Sequence, residues 1–98
     1  KNVFRVKTLH YDSNERTLTV SFLISFRDVE SYTVLAGAYS NRGKMVDFAM
    51  KKVDNAEKLQ TVEIELYDMD IEEPETFTIS VVDSATLALL DEPIELHA

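Results

Sequence analysis

The chain has 98 residues, 45% of them hydrophobic, a formal net charge of −8, and neither cysteine nor tryptophan. That length suits one domain, which buries roughly 60–70% of the surface its unfolded chain exposes. The charge makes phosphate backbones and anionic lipid surfaces poor partners, the lack of cysteine excludes disulfides and thiolate metal sites, and no apolar run is long enough to span a bilayer.

Asn2 to Tyr11 is the first predicted strand. Phe4 and Val6 share one face and Val3, Leu9 and Tyr11 the other, an imperfect alternation that predicts a bulge or a change of sheet midway. Asp12-Ser13-Asn14-Glu15 is a polar turn. Arg16 to Arg27 is the clearest strand: Leu18, Val20, Phe22, Ile24 and Phe26 face one way, Thr17, Thr19, Ser21 and Ser25 the other, with Leu23 the outward exception. Asp28 to Ser31 connects it to a hairpin over Tyr32 to Met50.

The hairpin turns at Ser40-Asn41-Arg42-Gly43, where Asn and Gly tolerate positive φ and Gly43 is expected in the left-handed region. Before the turn, Val34, Ala36 and Ala38 share one face and Thr33, Leu35, Gly37 and Tyr39 the other, the pattern of a central strand covered on at least one side. After it, Val46, Phe48 and Met50 alternate with Asp47 and Ala49, a strand with one wet face and its apolar set expected inward. That strand is expected to end at the pair Lys51-Lys52, which discourages edge-to-edge pairing.

Asp54 to Glu57 reads as a turn, and Lys58 to Tyr67 as a strand with Val62, Ile64 and Leu66 inward and Thr61, Glu63 and Glu65 outward. An acidic loop, Asp68 to Glu75, contains Pro74, which stops a ladder. Thr76 to Asp83 is a strand with Phe77, Ile79 and Val81 on one face. Asp83 or Ser84 caps a single helical turn, bringing Leu87 and Leu90 to the same side, and Ile94 to His97 is the last strand. Seven strands with regular turn signals predict an all-β, immunoglobulin-like sandwich of antiparallel strands in two sheets, one module over residues 1–98. A small β-barrel is the alternative.

No residue stands out as catalytic. A nucleophile needs an adjacent base, and the two histidines, His10 and His97, lie near the termini, where they could meet across neighbouring strands but read as exposed strand residues. Carboxylate pairs need a cleft as well as two acids. Asp68, Asp70, Glu72, Glu73 and Glu75 are oxygen donors of the kind calcium prefers, yet the ordered Asp-x-Asp-x-Asp-Gly spacing is missing and the loop reads as solvated. No metal or cofactor is expected. A sugar platform needs an exposed aromatic face. Of Tyr11, Tyr32, Tyr39 and Tyr67, Tyr39 and Tyr67 lie at strand ends and are expected to pack inward with their hydroxyls reaching water. Outward strand positions are mostly Thr, Ser and Glu.

Two stretches resemble a family of small immunoglobulin-like or fibronectin-type-III-like modules found in secreted and surface multidomain proteins of Gram-positive bacteria. One is the hairpin Val34-Leu35-Ala36-Gly37-Ala38-Tyr39-Ser40-Asn41-Arg42-Gly43-Lys44-Met45-Val46, similar to the family's apolar strand, Tyr, Gly-bearing turn, then Lys and two apolar residues. The other is Phe77-Thr78-Ile79-Ser80-Val81-Val82-Asp83-Ser84-Ala85-Thr86-Leu87-Ala88-Leu89-Leu90, similar to its penultimate strand running into Asp-Ser and a leucine-bearing turn. The chain has Val82 where the family often has Trp, and Leu89 where it often has Pro. The resemblance covers roughly the last two-thirds of the chain. It implies an extracellular or cell-surface accessory module without enzymatic activity, which spaces, orients or docks domains. Its partners would be neighbouring domains of the same chain or a surface protein, with cell-wall or glycan contact as a further expectation. A carbohydrate-binding module is the alternative, and a metal-dependent adhesion or interaction module the second. The start at Lys1, with no signal-peptide pattern, reads as a piece of a longer protein.

Overall fold

A computed structural model of the chain describes residues 3–54, 59–65 and 73–97. They form seven antiparallel strands: β1 (Val3–Asp12), β2 (Thr17–Ser25), β3 (Ser31–Tyr39), β4 (Met45–Asp54), β5 (Leu59–Glu65), β6 (Thr76–Asp83) and β7 (Ile94–His97). One sheet has the order β1-β2-β5 and the other β4-β3-β6-β7. The two pack face to face as an immunoglobulin-like sandwich.

The core follows from the alternation. Leu18, Val20, Phe22 and Ile24 of β2 are buried against Tyr32, Val34, Ala36 and Ala38 of β3, with Phe77, Ile79 and Val81 of β6 beside them. Each large apolar side chain taken out of water here contributes about 1.5–3 kcal/mol. The rings interlock: Phe22 lies 4.9 Å from Phe4, and Phe22 and Phe26 meet Tyr32 edge-on at 6.1 and 5.1 Å. Outside the core, Leu23 is exposed, as its odd place in the pattern requires.

Two strands depart from simple alternation because each carries a bulge. In β1 the register shifts between Val6 and Thr8, so Lys7 has no partner. The extra residue reverses the faces beyond it. Leu9 and Tyr11 therefore join Phe4 and Val6 against the core, instead of facing away from them. In β4 the shift lies opposite Ala38 and Tyr39, which pair with Asp47 and Met45 and leave Val46 extra. Asp47 and Ala49 consequently point inward and are buried, as is Val46, while Phe48 is half-buried and Met50 is 62% exposed on the outer face. The expectation that Phe48 and Met50 share the inward face with Val46 is thus overturned. The strand also continues past Lys51-Lys52 to Asp54, at the edge of its sheet.

The turns are built by local bonds. Asp12 Oδ1 accepts from the amides of Asn14 and Glu15 at 2.9 and 3.2 Å. At the hairpin, Gly43 donates to the Ser40 carbonyl at 3.0 Å and has φ +76°, the left-handed conformation expected of it. After β6, Asp83 Oδ1 accepts from Ala85 at 2.8 Å, the capping expected there. The chain does not continue helically, however. Leu87 takes φ +63° and is 72% exposed, while Leu90 packs on the core, so these leucines face different ways. The turn expected at residues 55–57, the side chain of Leu66 and Tyr67 lie outside the described residues.

Candidate functional site

The outer face of the four-stranded sheet holds an open groove at the Tyr39 end of β3. On β3, Thr33, Leu35, Gly37 and Tyr39 point outward, so strand period places Tyr39 opposite the core rather than within it as expected. Gly37 pairs with Phe48 of β4 on one side and Thr78 of β6 on the other. A Cβ at Gly37 would stand 2.9 Å from Thr78 Oγ1 and 3.2 Å from the Tyr39 ring. The missing side chain is what lets Tyr39 lean back along its own strand.

Tyr39, Asn41, Gly43, Glu75, Thr76, Thr78, Glu95 and His97 line an open groove of about 640 Å³. The backbone secures its rim: Glu75 N donates to the Tyr39 carbonyl at 2.8 Å, and Ser40 N to Lys44 O at 2.8 Å. Glu95 stands opposite Thr78 and His97 opposite Thr76. Among the described residues neither Glu75 nor Glu95 enters an ion pair. Thr76 Oγ1 and His97 Nδ1 are 3.5 Å apart, the outer limit of a hydrogen bond, on an exposed face. Hydroxyl nucleophiles act from a tighter pair with a third group orienting the base, and no third group bonds His97 among the described residues.

No protein-family model, curated protein or solved structure matches this chain. The site is therefore read from its chemistry alone.

The other expected residues are dispersed. His10 is exposed on β1 and pairs with Thr19, so it lies in the other sheet from His97 and the two do not meet. Tyr32 is wholly buried, which removes it as a sugar platform. Its hydroxyl has no hydrogen-bond partner among the described residues, and burial pushes its pKa up. Tyr11 packs on Phe77 at 5.3 Å. Of the acidic loop, Asp68, Asp70 and Glu72 lie outside the described residues; Glu73 and Glu75 are exposed on either side of buried Pro74. Among the described residues no three His, Asp or Glu side chains converge as they would around a metal ion.

One charged pair is structural. Asp47, fully buried through the β4 bulge, accepts from Arg16 at 3.1 Å and from the Phe48 amide at 2.8 Å. Arg16 leads into β2, so the bond links the two sheets.

Phe48 and Met50 are the residues of this face that simple alternation from Val46 does not place there, whereas Leu35 and Thr78 lie where alternation puts them. The available signal was Gly37, two residues before Tyr39 on the same face of a strand.

Proposed function

We propose that this chain is a non-catalytic accessory module, of fibronectin-type-III-like kind, that spaces or docks the domains of an exported or cell-surface protein. The observation that carries this reading is where the first and last strands run. Val3 pairs with Ser25, beside Phe26 and Tyr32 at one end of β3, whereas His97 pairs with Thr76 beside Tyr39 at the other. The first described strand thus starts at one end of the sandwich and the last finishes at the opposite end. That suits a link in a series of domains. The strand order adds to it: β4 pairs with β3 instead of extending the sheet of β1, β2 and β5, unlike a constant immunoglobulin domain, whose fourth strand lies in the first sheet.

A glycan-binding reading draws on the Tyr39 groove. It is the second choice because Tyr39 is the one phenyl ring in the groove's lining, among hydroxyl, amide and carboxylate side chains. The test is hydrolysis by the isolated chain of a panel of glycans, peptides and esters. The expected result is no turnover above background. Turnover that Thr76→Ala or His97→Ala abolishes would overturn the accessory reading.

A further inference from the structure

Resting on that accessory reading, we propose that the outer face of the four-stranded sheet docks a protein segment bearing lysine or arginine beside apolar side chains. The face runs from the Tyr39 groove across Gly37 to Leu35, Phe48 and Met50. Two independent features meet there.

The first is apolar. Leu35 and Phe48 are half-buried and Met50 is 62% exposed, all on a face where a solvated sandwich carries Thr, Ser and charge. Leu35 pairs with Met50, and Gly37 with Phe48, so these side chains form one strip, with Tyr39 at its end. Methionine adapts its shape to a partner's surface.

The second is electrostatic. Glu75 and Glu95 line the same groove as Tyr39 without an ion-pair partner among the described residues, on a chain of net charge −8. A groove that holds an aromatic ring and two carboxylates suits an ammonium or guanidinium group, which gains from both. Arg42 and Lys44 sit on the adjoining turn but do not line the groove. At the far end of the strip Lys52 stands opposite Thr33, so the face runs from acidic to basic and sets the direction of an extended partner.

A saccharide would use Tyr39 and the hydroxyls of Thr76 and Thr78 but leave Leu35 and Met50 idle. The net charge disfavours a second copy of the chain. A cationic, partly apolar protein segment uses the whole face.

The test is nuclear magnetic resonance titration of the 15N-labelled chain with the peptide Lys-Leu-Lys-Phe-Lys, with its Gln-for-Lys counterpart, and with cellotetraose and chitotetraose. Expected are shifts confined to the amides of Leu35, Phe48, Thr78 and Glu95 with the lysine peptide, at a Kd of about a millimolar or below. Glu75→Gln and Glu95→Gln each weaken binding by up to about five-fold, the range for exposed ion pairs. Met50→Ala weakens it without abolishing the charge dependence. Glu75, Glu95 and Met50 are exposed, so the variants fold, which the dispersion of their spectra checks. The proposal is overturned by shifts elsewhere or none, by binding indifferent to all three substitutions, or by saccharide shifts at Tyr39 without peptide binding. The hydrolysis assay separates the two readings: an inert chain that ignores the peptide loses this surface and remains an accessory module.

Discussion

A carboxylate buried without exposure is tolerable only when it is paired, and Asp47 is paired with Arg16 at 3.1 Å. Arg16 keeps some access to water whereas Asp47 has none. Arg16→Met therefore strands a buried charge, and the expected loss is about 3–5 kcal/mol by urea denaturation. The double variant Arg16→Met, Asp47→Leu should recover much of it, because an apolar pair of similar volume replaces two desolvated charges. If the double variant is no better than the single one, the bond is doing more than neutralising Asp47. Tyr32 poses the opposite problem. Its hydroxyl is buried and unbonded among the described residues, so Tyr32→Phe should be neutral or stabilising by about 1 kcal/mol. The pH sign follows from the raised pKa. The unfolded phenol ionises near pH 10 while the folded one stays protonated, so the unfolded state is favoured as pH rises above that value. Alkaline melting should show a steeper decline for the native chain than for Tyr32→Phe, and identical slopes would mean that the hydroxyl reaches water.

At the scale of single elements the two glycines do different work. Gly43 has φ +76° and, its chain neighbours aside, no atom of the described residues lies within 4 Å of a would-be Cβ, so a substitution there meets backbone strain. Gly43→Val should destabilise by more than Asn41→Ala in the same turn, measured by thermal melting; equal effects would contradict the left-handed geometry. Gly37 has ordinary strand geometry and no room. Gly37→Ala must push Thr78 or Tyr39 aside, at about 1–3 kcal/mol for a crowded site, and the Tyr39 ring signals should move with it. β2, β6 and β7 could be read from the chain because unbroken alternation and flanking turn residues are local properties. The faces of β1 beyond Val6 and of β4 could not. A bulge is decided by the partner strand, and one extra residue at Lys7 or Val46 reverses every face after it. Alternation from Val46 therefore gives the wrong face for Phe48 and Met50, whereas Tyr39 involves no bulge of its own strand, whose period places it beside Leu35 and Gly37. Leu87 was misplaced because alternation and capping say nothing of a single left-handed residue after Asp83.

At the scale of the whole molecule the two sheets share one core and cannot lose it separately. Residues far apart in sequence meet throughout: Leu18 pairs with Ile64 and Ala36 with Ile79, while Tyr11 of one sheet packs on Phe77 of the other. Phe22 sits at the centre, touching Phe4 and Tyr32. Its truncation leaves a cavity between both sheets, so Phe22→Ala should cost about 3–5 kcal/mol. Ser21→Ala, on the outer face beside it, removes only a half-exposed hydroxyl bonded to Thr61 at 3.1 Å, and should cost within about 0.5 kcal/mol. Because the core is shared, Phe22→Ala must weaken both sheets together. Amide exchange should rise in parallel in β2 and in β3, although only β2 carries the substitution. Exchange that rises in β1, β2 and β5 while β3 and β6 keep their protection would mean that the sheets unfold as separate units. The proposed spacer role would then lose its physical basis, because orientation could not pass from β1 in one sheet to β7 in the other.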